Sequence, residues 1–93
     1  MVTGRRFPSL IAIRAFEAAA RLGSFSKAAQ ELDTTAASVS YHVRRLEQQI
    51  GVGLFVRHPN HVILTRSGDI VAREAISAFA ALRASFVQAA QVD

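Results

Sequence analysis

Residues 24–65 read SFSKAAQELDTTAASVSYHVRRLEQQIGVGLFVRHPNHVILT, and they resolve into four elements. Ser26 suits the N-cap of a short helix running through Leu32. Phe25 and Leu32 would anchor that helix, and the small Ala28–Ala29 pair lets a second helix approach closely. Asp33-Thr34-Thr35 reads as a turn, with Thr35 placed to cap a longer helix over about residues 36–50. Val39, Val43, Leu46 and Ile50 recur on its inward face. Ala36, Ala37, Ser40, Tyr41 and Arg44 fall on the outward face, and Gly51 ends the helix. Residues 54–57 and 62–64 then read as two short strands around a four-residue loop, His58-Pro59-Asn60-His61. Two helices joined by a tight turn and followed by a basic hairpin have the layout of a winged helix-turn-helix. That unit sets one helix in the DNA major groove and a β-wing beside it. It binds, and needs no nucleophile, metal or cofactor to do so.

Outside this stretch the pattern is helical. Pro8-Ser9 opens a first helix with Leu10, Ile13, Phe16 and Ala20 on one face and Arg14, Glu17 and Arg21 on the other. Gly23 suits the residue just past its end. Thr65 is placed to cap a last helix over about residues 66–90, where Ala72, Ala75, Phe79, Leu82, Phe86 and Ala89 keep a heptad alternation. The expected fold is mainly α: three helices and a two-stranded wing (1–65), then a long C-terminal linker and dimerisation helix (66–93). Residues 1–7 read as a loose basic arm, in which Arg5 and Arg6 either touch phosphates or are simply solvated.

Composition narrows the function. An apolar fraction of 51% is ample for a core and argues against disorder. The chain has no cysteine, which removes disulfides and thiolate zinc sites and is compatible with a reducing cytoplasm. The net charge of +4 is uneven: residues 1–66 hold nine Lys/Arg against four Asp/Glu, and residues 67–93 two against three. A basic excess concentrated on the helix-turn-helix favours a polyanionic partner. Arg5-Arg6-Phe7 before Leu10–Ile13 faintly resembles a twin-arginine export signal. Arg14, Glu17 and Arg21 interrupt the apolar run, which is too short and too charged for a signal core or a membrane span.

The residues in register resemble the N-terminal DNA-binding domain and linker helix of the LysR-type transcriptional regulators. The resemblance rests on Phe16, Gly23-Ser24-Phe25, Ala28-Ala29, Leu32, Val39-Ser40, Arg45-Leu46-Glu47, Gly51, Leu54-Phe55, Arg57, Leu64-Thr65 and Gly68, and covers roughly residues 8–90. It implies a bacterial, cytoplasmic regulator that binds an imperfect inverted repeat of double-stranded DNA. It also implies a homodimer formed through the last helix by Ala72, Ala75, Phe79, Leu82 and Phe86. Members continue into an effector-binding domain, which these 93 residues do not include, so a small-molecule effector would act only through that domain. No cofactor, metal or membrane is implied. Thr35-Ala36-Ala37 stands where members often carry Ser-Gln-Pro, Tyr41 where an Arg is frequent, and the wing tip is His-Pro-Asn-His. Base preference therefore cannot be carried over, because Ala in place of Gln removes a bidentate adenine contact.

Each candidate contact has a plainer reading beside it. Ala36 and Ala37 can meet only thymine methyls or sugar edges, whereas Ser40 can bond a phosphate or base edge. Tyr41 is either a DNA contact or a surface aromatic. Thr35 caps its helix and sets N–H groups toward a phosphate, and Ser24 and Ser26 can do likewise one helix earlier. Arg44 and Arg45 point about 100° apart; Arg44 suits a phosphate, and Arg45 stays open to pairing with Glu31 or Glu47. Arg57 is a phosphate or minor-groove contact or a surface ion pair. His58 and His61 make a wing loop rather than a metal site, for want of a third ligand nearby. If they approach phosphate, affinity rises as pH falls below about 6.5. His42 reads as groove-side or partly packed. The last helix either folds back on its own domain or pairs with a second copy. Competing functions are a winged-helix protein–protein module and another dimeric winged-helix regulator, such as a molybdate-responsive type. A small enzyme has the least support, since no nucleophile–base arrangement or glycine-rich phosphate loop stands out.

Overall fold

The computed structural model describes residues 7–92, and the expectations for Arg5 and Arg6 lie outside them. Helix α1 spans Leu10–Leu22, α2 Phe25–Leu32 and α3 Ala36–Ile50. Strands β1 (Phe55–Arg57) and β2 (Val62–Leu64) form an antiparallel pair, with Phe55 opposite Leu64 and Arg57 opposite Val62. Helix α4 runs from Arg66 to Ala90.

Local chemistry sets the boundaries. Ser9, Ser24, Thr35 and Thr65 each accept, through the side-chain oxygen, a backbone N–H three residues on, satisfying donors that a helix start leaves unpaired. The cap of α2 is therefore Ser24, not Ser26, which lies exposed within the helix. Phe25 can begin the helix because the chain turns at Gly23, whose φ of 67° is left-handed. Asp33 ends α2 at a φ of 57°, a conformation that Asp tolerates better than most residues.

Alanines dominate the contact between helices. Ala12, Ala15, Ala18 and Ala19 of α1 and Ala28 and Ala29 of α2 are buried around Phe16, Val39, Val43, Leu46 and Leu54. Small side chains bring the axes close, and Phe16, Phe25 and Phe55 fill the space toward the wing. Their ring centroids lie 5.3 Å apart (Phe16–Phe55) and 5.6 Å apart edge-to-face (Phe25–Phe55). Two expectations for α1 need correction. Leu10 is exposed at the first turn, ahead of the packed region, and Glu17 is buried rather than outward. The inversion at Glu17 is possible because Arg21, one turn on, bonds both its carboxylate oxygens, at 2.8 and 3.2 Å. Arg21 also reaches Glu31 of α2. The first strand begins at Phe55, because the N–H groups of both Leu54 and Phe55 turn inward to Glu47.

Helix α4 has two parts. Its base is core: Gly68, Ala72 and Ala75 are buried, with Val71 and Ile76 against them. At Gly68 a Cβ would lie 2.0 Å from the Leu54 carbonyl oxygen, so only glycine lets the helix sit this close. The apolar seam thus does find a partner in the first 65 residues, over its first third. Phe79 is half-buried, and every residue from Ala80 to Val92 is exposed. Among the described residues, no helix is long and apolar enough to cross a membrane.

Candidate nucleic-acid interface

The surface at the start of α3 is built from small and basic residues. Ala36, Ala37, Tyr41, Arg44 and Arg45 are exposed, and Ser40 is half-buried among them. None of the first turns of α2 and α3 carries an acidic residue. The positive ends of both helix dipoles are therefore not neutralised within their own first turns, as an anion-facing surface requires. Thr35 Oγ1 accepts from the Ser38 N–H at 3.1 Å, and Ser24 Oγ from the Lys27 N–H at 3.1 Å.

Three of the four acidic groups between residues 10 and 66, Glu17, Glu31 and Glu47, are paired within the domain. Arg21 neutralises Glu17 and Glu31, and its hydrogen bond holds the Glu31 carboxyl below its usual 4.5. The same two carboxylates raise Arg21 further above its ordinary range. Glu47 accepts the N–H groups of Leu54 (2.7 Å) and Phe55 (3.3 Å) and meets Arg57 Nη2 at 3.5 Å. With these carboxylates occupied, exposed Lys27, Arg44 and Arg45 outnumber the exposed Asp33 of the turn and give this side its positive sign.

The candidate residues separate into groups. Ser24, Thr35, Ala36, Ala37, Ser40, Tyr41 and Arg44 share the N-terminal region of the two helices. Arg45 does not pair with Glu31 or Glu47, which other arginines occupy; its guanidinium lies 6.0 Å from the Tyr41 ring centroid. At that distance the contact is at the outer limit of a cation–π interaction. Arg57 turns inward, with Nη1 donating to Ser40 Oγ at 3.0 Å and the guanidinium 4.7 Å from the Phe25 ring centroid. Its Nη2 also lies 3.5 Å from Glu47 Oε1, so an ion pair is formed within the chain. His58 and His61 stack at the wing tip, 4.7 Å apart and 10° from parallel, closed by the His58 N–H to the His61 carbonyl at 2.9 Å. No group of three metal-ligating side chains exists among the described residues. His42 is half-buried beside Ile11, Arg14 and Leu32. Of the dimerisation candidates, Ala72 and Ala75 are corrected to intramolecular core, whereas Leu82 and Phe86 are exposed. Sequence reasoning missed the Glu17–Arg21–Glu31 cluster, although the four-residue spacing of Glu17 and Arg21 signals its first half. It also missed the acceptor role of Glu47, which depends on a contact seven residues along the chain.

The model of the bacterial regulatory helix-turn-helix proteins of the lysR family matches residues 10–69. The chain belongs to this family. The HTH-type transcriptional regulator TrpI of Pseudomonas aeruginosa is 56% identical over 64 residues, 69% of this chain and 22% of TrpI. The chain spans about a quarter or less of the length of such curated relatives. Oxidized OxyR of Corynebacterium glutamicum superposes with a TM-score of 0.83 at 30% identity, covering 99% of this chain and 28% of OxyR. The BenM DBD in its complex with catB site 1 DNA gives 0.78 at 25% identity, covering 90% of this chain and 93% of that one. The winged helix-turn-helix and the long last helix are thus the architecture of LysR-family DNA-binding domains.

Proposed function

We propose that this chain is the DNA-binding domain of a bacterial, cytoplasmic LysR-type transcriptional regulator. It binds an imperfect inverted repeat of double-stranded DNA as a homodimer, with α3 in the major groove and the His58–His61 wing beside it. The observation that carries this reading is the α3 face itself. An acid-free helix start, flanked by Lys27, Arg44 and Arg45, carries small side chains that let the helix approach base edges. Residues 1–65 form the reading head and 66–93 the linker, whose base is part of the head's core. The exposed Leu82–Phe86 end of α4 pairs with the same segment of a second copy. A small-molecule effector acts through a further domain of the full-length regulator.

The test is a selection of genomic DNA fragments by the purified chain, at two salt concentrations. Enrichment of an interrupted inverted repeat, weakened about tenfold by Tyr41→Ala, is the expected result. Affinity should fall steeply with salt, because phosphate contacts supply most of it. Absence of binding at either salt would overturn the proposal in favour of a protein-association module.

A further inference from the structure

Arg57, the one arginine of the wing, is engaged on three sides. Nη1 donates to Ser40 Oγ at 3.0 Å, Nη2 approaches Glu47 Oε1 at 3.5 Å, and the guanidinium plane lies 4.7 Å from the Phe25 ring. Three elements meet there: α2 through Phe25, α3 through Ser40 and Glu47, and β1 through Arg57 itself. The other oxygen of Glu47 holds the start of the wing through the Leu54 and Phe55 N–H groups.

The chemistry of Ser40 follows from its partner. A guanidinium carries only donors, so the serine oxygen must accept. Its single proton is then left to donate elsewhere. Ser40 sits one turn after Ala36 and one turn before Arg44, on the face that carries Tyr41. An acceptor on DNA, a phosphate oxygen or a purine N7, completes that bond.

We infer that Arg57 is a positioning residue, not a DNA ligand: it fixes Ser40 as an outward donor and locks the wing to α3. This rests on the DNA-binding reading above. The inference separates two roles that a basic wing residue can have. An arginine on a phosphate contributes to the salt dependence, and its loss lowers the salt slope by about one. A positioning arginine acts through geometry, and lysine cannot replace it, because one ammonium cannot reproduce a planar fork held at three points.

The experiment measures affinity of the full 93-residue chain for its selected operator and for an unrelated duplex, across a salt series. Arg57→Lys, Ser40→Ala and the double variant are compared, with thermal unfolding recorded for each. The expected result is a loss of about tenfold in the specific-to-nonspecific ratio for each single variant. The double variant should lose little more than either, and Arg57→Gln should leave the salt slope within about half a unit. A merely structural role lowers the melting temperature but gives no such coupling to Ser40. If Arg57→Lys does not fold, Glu47→Gln loosens the guanidinium while leaving it in place. Its specific-to-nonspecific ratio should then fall, and not fall further with Ser40→Ala. Additive losses, or a slope reduced by about one in Arg57→Gln, would overturn the inference while leaving the DNA-binding reading intact. Failure of the wild-type chain to bind any duplex would overturn both.

Discussion

Among the described glycines, Gly68 is the one where an added methyl group meets the nearest backbone, so Gly68→Ala should be strongly destabilising. The new Cβ would lie 2.0 Å from the Leu54 carbonyl oxygen, 2.9 Å from its carbon and 3.0 Å from Leu64 Cδ2. A relaxed carbon–oxygen contact is about 3.3 Å, so the two groups must part by roughly 1.3 Å. The obstacle is backbone and cannot rotate away. The same carbonyl accepts the Thr65 N–H at 3.0 Å, and the N–H of Leu54 is fixed on Glu47. Overpacking of this kind costs about 1–3 kcal/mol, and losing the Thr65 bond adds about 1–2 kcal/mol. Alanine returns about 1 kcal/mol of helix propensity, leaving a net loss of about 1–4 kcal/mol. A domain of this size has a total stability of about 5–14 kcal/mol, so the melting temperature should fall by at least about 4 °C. Gly53→Ala is the control, because its nearest neighbour, Glu47 Oε2, is 4.0 Å away. Thermal and urea unfolding of the two variants beside the wild type decide the matter. A Gly68→Ala midpoint within about 2 °C of wild type would refute the claim that α4 is seated against Leu54.

Three further outcomes are expected. Arg21→Ala strands the buried Glu17 carboxylate and should destabilise by about 2–4 kcal/mol in urea unfolding, whereas replacing Glu17 and Arg21 together by Met should recover most of that loss. The Glu31 carboxyl is held below 4.5 by its hydrogen bond to Arg21; its contribution is therefore full above pH 4.5 and fades as pH falls through its lower folded value. Glu31→Gln should flatten that part of the acid-unfolding curve, and an unchanged curve would count against the link. Leu82→Glu with Phe86→Glu should give folded monomers in sedimentation with operator affinity reduced at least about tenfold, while Ala75→Glu should unfold the chain, since Ala75 lies in its own core.

Much of this fold was legible because its signals are local. The boundaries of α3 and α4 follow from Thr35, Gly51 and Thr65, residues whose preferences do not depend on distant neighbours. The hairpin followed likewise from Pro59-Asn60 between two short apolar runs, Leu54–Val56 and Val62–Leu64. Misreadings arose where the position of a residue depends on the partner it meets. Glu17 looked exposed because a lone carboxylate avoids the core, and only its pairing with Arg21 reverses that cost. Ala72 and Ala75 fitted a heptad seam, but a heptad does not say which partner it meets, and the close approach at Gly68 brings the first turns of α4 onto the chain's own core. Arg57 illustrates the same limit at the interface. Its charge was visible in the sequence, whereas its occupation by Ser40, Glu47 and Phe25 depends on three elements meeting.

Leu54 ties these observations together. Its side chain is fully buried, its N–H ends on Glu47 of α3, and its carbonyl receives Thr65 and abuts Gly68 of α4. One peptide segment thus connects the recognition helix, the wing and the base of the last helix by short, backbone-mediated contacts, which are stiffer than contacts between flexible side chains. In the proposed dimer the distance between two recognition helices is fixed by the angle each head makes with its α4. That angle is set where Leu54 meets Gly68, about 33 Å along the helix from its exposed C-terminal end. A small tilt at this joint is therefore magnified at the seam or at the DNA, whichever end is free. Half-site spacing in this chain is accordingly a property of the packing around Leu54 and Gly68 as much as of the dimer contact itself.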